Sequence, residues 1–145
     1  MAVTNTHPKS FVLGLYKAEH NFDSGHVFKI ALMTPSYAFS ASSHSNFASV
    51  ASSQIAASGG YAAATIGSVA VALDSSGNTL VTAGNVAWSA SGASIATTGA
   101  AIIYNDTHAS DAIVACIDFG ASYDTPDGAT FQINFTSGLF KGTPV

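Results

Sequence analysis

From Gly60 onward the chain is a succession of short apolar runs broken by turn residues, and this rhythm restricts the possible folds most. The runs cover residues 61–66, 68–73, 79–83, 86–89, 100–104, 112–119 and 129–136, with turn clusters at 74–78, 105–111 and 124–128. In the last run Phe131, Ile133 and Phe135 share one face while Gln132, Asn134 and Thr136 share the other, the period of a strand with one packed side. Helices do not alternate with these strands, so the parallel α/β folds drop out. The expected class is all-β: a single antiparallel β-sandwich or flattened barrel.

The first sixty residues read differently. Ser10 is a candidate N-cap for a short amphipathic helix carrying Phe11, Val12, Leu15, Tyr16 and Glu19 and ending before Asn21, although Gly14 weakens it. Residues 27–34 form a buried strand stopped by Pro35. An Ala/Ser-rich insert follows at 38–58, too long to lie structureless in a compact domain. Within it Phe47, Val50, Ala51, Gln54 and Ile55 repeat at helical spacing, which predicts a second short helix closed by Gly59-Gly60; an extended arm is the rival reading. The layout is thus an N-terminal arm, 1–10, and one sandwich domain, 11–145, carrying the insert.

Ionic side chains are scarce: of 145 residues only 4 are Lys or Arg and 8 are Asp or Glu, against about 25% charged residues in ordinary soluble domains. All four bases are lysines (Lys9, Lys17, Lys29, Lys141) and the net charge is −4. That excludes a phosphate-neutralising patch, hence nucleic acid, and equally an anionic membrane surface. No apolar stretch approaches the ~20 residues of a membrane span, and the N-terminus lacks a secretory signal's pattern. A chain made and kept in a cytoplasm is expected, and the single cysteine, Cys116, agrees with it.

Chemistry is sparse too. His20, Asp23 and His26 space three ligand types along one loop, but a loop enforces no metal geometry, and a solvated turn explains them better. Asp74-Ser75-Ser76-Gly77-Asn78 lacks the closing Glu of a calcium loop. Asp106, His108, Ser110 and Asp111 crowd one hairpin tip, where a triad would lack its buried carboxylate and oxyanion hole. Cys116 reads as a small buried hydrophobe. Trp88 with Tyr61, Tyr104 and Tyr123 offers a sugar-stacking platform or, more simply, core. No nucleotide-binding, nucleophile-elbow or zinc-protease motif occurs. The reading is therefore non-enzymatic, with no catalytic residue, metal or cofactor.

A domain so poor in charge suits an exterior covered by copies of itself or by a scaffold, so a homo-oligomer is expected, a trimer first. The segments Phe28-Lys-Ile-Ala-Leu-Met-Thr-Pro-Ser-Tyr37, Gly60-Tyr61, Val86-Ala-Trp88, Ala101-Ile-Ile-Tyr-Asn-Asp-Thr107, Ile117-Asp-Phe-Gly120 and Gly138-Leu-Phe-Lys141 resemble a family of small virion structural proteins of tailed bacteriophages. The resemblance spans about residues 11 to 141, with the 38–58 insert more polar and less aromatic than the family pattern. It implies a capsid decoration (cement) protein carried in the virion, its partners the major capsid protein or other virion proteins. The alternative it implies is a tail or fibre module, with host-glycan binding through Trp88. The candidate contact residues are Pro8, which stiffens the arm, and Phe39, Phe47, Val50 and Ile55 in the insert, which either anchor a neighbour or complete this domain's own core.

Overall fold

The computed structural model describes residues 3–143. Met1 and Ala2, the tip of the expected arm, and the last two residues of the chain lie outside the described residues. In chain order the elements are β1 (Thr4–Thr6), α1 (Lys9–Tyr16), β2 (Phe28–Met33), two 3₁₀ turns (Phe47–Ser49 and Ala51–Ser53), β3 (Ala64–Thr65), β4 (Ala70–Leu73), β5 (Thr79–Thr82), β6 (Val86–Ser89), β7 (Ile95–Asn105), β8 (Ala112–Thr125), β9 (Thr130–Ile133) and β10 (Phe140–Gly142). Every strand pairing is antiparallel. The strands form a five-stranded sheet in the order β1-β8-β7-β2-β3, a three-stranded sheet β10-β5-β4 and a two-stranded β6-β9 ribbon. The fold is all-β and sandwich-like, as the strand rhythm predicts.

β2, β7 and β8 supply the interior of the large sheet, and their sequences are near-continuous apolar runs rather than alternating ones. The cause is that both faces are covered. On one face Phe28, Ile30, Leu32, Ala101, Ile103 and Ile117 pack beneath α1 and the smaller sheets. On the other, Ala31, Met33, Ile102, Tyr104, Ile113 and Cys116 pack against Val50, with Tyr37, Phe39 and Phe47 resting on them. Fully burying side chains such as Phe28, Leu32 and Ile102 contributes about 1.5–3 kcal/mol each. Where Ile103 pairs Ala115 but Tyr104 pairs Ile113, Val114 is left over as a bulge.

The 38–58 insert is therefore the second cover of the central sheet and not an arm. Its helical stripe is used, but without a second helix: the segment makes only the two 3₁₀ turns, the first capped by Asn46, whose side chain accepts from the Ser49 N–H at 3.0 Å. The Ser-rich composition favours such side chain-to-backbone closure over a continuous helix. Residues 3–10 are likewise folded onto the domain. β1 pairs with β8 through Thr4↔Asp118 and Thr6↔Cys116, and the Lys9 N–H donates to the Ala41 carbonyl at 2.8 Å.

Helix α1 begins two residues earlier than Ser10 implies, because extended Pro8 is its N-cap, and it ends at Tyr16 because Ala18 takes a left-handed φ of 57°. Its buried side is Phe11 and Gly14, so Val12, Leu15 and Tyr16, expected to face inward, are exposed. β1, β10 and the outer halves of β7 and β8 carry no local apolar signal and arise from pairing across the fold.

Candidate assembly surface

Helix α1 is apolar nearly all round, so burying one side leaves another bare. Val12, Leu13, Leu15 and Tyr16 are 52, 54, 41 and 88% exposed. Across a groove of about 880 Å³ stands β4, all four of whose residues are exposed, including Val71 and Leu73. In the β4-β5 register Val71 pairs Val81 and Leu73 pairs Thr79, which puts Val71, Leu73, Thr79 and Val81 on one face of the small sheet. Val12, Leu15, Val71 and Val81 line the groove together. The sequence signal for this surface was a four-residue strand, Ala-Val-Ala-Leu, with no polar alternation.

The groove's other wall is a polar latch that sequence reasoning missed. Asn105, fully buried at the end of β7, shares its amide N–H groups among the Glu19 carbonyl (3.1 Å), His20 Nδ1 (3.2 Å) and His26 Nδ1 (3.0 Å), while its Oδ1 accepts from the Thr107 N–H (3.1 Å). The Asn21 N–H also donates to His26 Nδ1, so both imidazoles turn Nδ1 toward an N–H donor. Gly14 makes room for this: a Cβ there would lie 2.8 Å from His20 Nε2.

Burial, then the neighbouring His108 and His26, push His20 below its ordinary value of 6.5, with Glu19 opposing them. The unfolded chain therefore takes up this proton first as pH falls. Stability contributed by His20 is whole above about 6.5 and declines as pH drops through that value toward the lower folded one. Thermal melts between pH 7.5 and 5 should show Tm falling with acid, and His20→Phe should flatten that slope; an equal slope in both proteins refutes the assignment.

The other residues singled out in the sequence fall as follows. Pro8, Val50 and Ile55 are buried in the chain's own interior and have no face left for a neighbour. Phe47 is half-buried, stacked on Tyr104 at 4.3 Å, and Phe39 is half-buried beside His44 at 5.7 Å. Phe39, Phe47, Val50 and Ile55 thus pack within this domain because the insert they belong to covers a sheet face, and Pro8 is buried where the N-terminal segment folds back onto it.

Trp88 is 6% exposed, its indole N–H donating to the Ala62 carbonyl at 2.8 Å. Tyr61 and Tyr104 are buried in separate clusters, so of the four aromatics only Tyr123 faces solvent and the sugar platform does not form. Cys116 is buried, its thiol pushed up to about 12 by burial and by Asp118.

Asp106 is paired with Lys29 at 2.9 Å. His108 Nδ1 lies 3.1 Å from Ser110 Oγ and also accepts from the Ser110 N–H. The nearest carboxylate to its Nε2, Glu19 at 3.9 Å, is 40% exposed rather than a buried orienting group. Asp74 closes its own turn, accepting from the Ser76 and Asn78 N–H groups, and pairs with Lys141 at 2.8 Å. Among the described residues no group of three His, Cys, Asp or Glu converges as a metal-holding set, and no helix is long and apolar enough to cross a membrane. Compared with known proteins, no family model, no curated protein and no solved structure matches this chain.

Proposed function

We propose that the chain is a non-enzymatic structural protein of a tailed-phage virion, specifically a decoration protein seated on the major capsid protein of the head lattice. The observation that supports it most is the pairing of a charge-poor surface with bare apolar side chains gathered on two neighbouring elements, α1 and β4. Scattered apolar residues need no explanation, but clustered ones flanking a groove are the usual mark of a surface that another protein covers. A cement role asks for this: a rigid body that holds by shape and buried area, with no reacting group. The glycan-binding fibre reading is weakened because Trp88, its required stacking face, is inside the core.

The test is copy number. In purified particles the quantified band should stand in near-stoichiometric ratio to the major capsid protein, and stripping it should make the heads release DNA more readily. A band at a few copies per particle moves the chain to a tail or fibre, and its absence from particles overturns the reading.

A further inference from the structure

We propose that β4 is a self-pairing edge: two copies of the chain join by antiparallel addition of β4 to β4 across a two-fold axis, fusing two three-stranded sheets into one of six. The inference rests on the assembly reading above and names one of its contacts.

The argument starts from the backbone. The Asp74 N–H donates to the Asn78 carbonyl at 2.8 Å, and the Leu139 N–H donates to the Val81 carbonyl at 2.6 Å. In an antiparallel ladder these bonds alternate by residue, so Ala70, Ala72 and Asp74 turn their groups toward β5, while Val71 and Leu73 turn theirs to the open side. Among the described residues no strand lies beyond β4. Natural edges are blunted by proline, lysine, a bulge or a cover, and Ala70–Leu73 has none of these.

A two-fold pairing must centre on one residue that meets its own copy. Centred on Ala72, it sets Val71 opposite Leu73 of the second copy and Leu73 opposite Val71, so that all four free N–H and C=O groups on each strand find partners. The Val71 and Leu73 side chains then meet their counterparts on the groove side, continuing the apolar surface from α1 of one copy toward α1 of the other. Charge does not oppose it. The two Asp74 carboxylates end up about 13 Å apart along the strands, beyond the ~8–10 Å screening length, and each is already paired with Lys141. Because both outward-facing residues are used, this contact closes a dimer, whereas the sequence reading favours a trimer.

The test uses the purified full chain. Light scattering at tens of micromolar should give a dimer or an even-numbered oligomer. Val71→Pro removes an outward N–H without touching the β5 ladder, and Ala72→Lys opposes two like charges at the axis; each should weaken association by about tenfold or more. Under mild oxidation Ala72→Cys should give a disulfide-linked dimer, since cross-strand partners lie within disulfide reach, while Ala70→Cys should not; native Cys116 is buried and silent. An oligomer that survives both edge variants overturns the β4 contact and leaves the assembly reading standing. A monomer in solution that is nevertheless abundant in particles does the same. Cross-linking of Ala70→Cys as readily as Ala72→Cys overturns the register.

Discussion

Replacing Asn105 by alanine will lower the unfolding free energy by about 2–4 kcal/mol, measured in urea with an unchanged m-value. The side chain is fully buried, and its truncation withdraws hydrogen from the Glu19 carbonyl, His20 Nδ1 and His26 Nδ1 and leaves the Thr107 N–H without its acceptor. Each lost bond costs about 0.5–1.5 kcal/mol net, more where the orphaned group stays out of water. The Asn105 amide ties residues 19–26 to the end of β7, while Val27 is held separately by the Asp106 N–H and Thr107 Oγ1, so the amide hydrogens of 19–26 should exchange faster in the variant while those of β2 keep their protection. A loss under about 1 kcal/mol would mean that water replaces Asn105 without penalty.

Gly59→Ala should cost about 3–5 kcal/mol, close to the whole stability of many small domains. Gly59 sits at φ 60°, and a Cβ there would collide with the Ala93 carbonyl oxygen and lie 2.7 Å from the Ser94 carbonyl carbon. Those are backbone atoms leading into β7, and they cannot swing aside as a side chain does. The turn is also fastened to that segment, the Ser91 N–H donating to the Gly59 carbonyl and Ser58 Oγ to the Ser94 carbonyl. Gly60, at φ 80° with nothing near its absent Cβ, is the control: alanine there should cost only the left-handed penalty, about 1–2 kcal/mol. Similar losses at both positions, read by thermal melting, would refute the close approach at Gly59.

What the sequence discloses here follows how local each signal is. β6, Val86–Ser89, is legible to the residue, and β2 within one residue at either end, because each is a short β-prone run bounded by turn formers. β1 and β10 are illegible: Thr-Asn-Thr and Phe-Lys-Gly become strands only because Cys116–Asp118 and Thr79–Val81 lie alongside. The insert's apolar stripe predicted a buried side correctly, yet the occupant of the other side, the second face of the central sheet, could be inferred only from the doubly apolar β2 and β7. Asn105 looked like any turn residue because its partner His20 is 85 positions away. In helix α1 the stripe is right at Phe11 and wrong at Val12, Leu15 and Tyr16: periodicity names an apolar stripe, but where most positions qualify, a glycine against an imidazole decides which side is packed.

The self-supplied cover of the central sheet has one more consequence. A segment already frozen in place by Phe47 against Tyr104 and Val50 against Met33 gives up no freedom when a neighbour arrives, so docking proceeds between two finished shapes. Whatever surface it meets, the insert contributes the fit of a fixed shape rather than a fold-on-binding step.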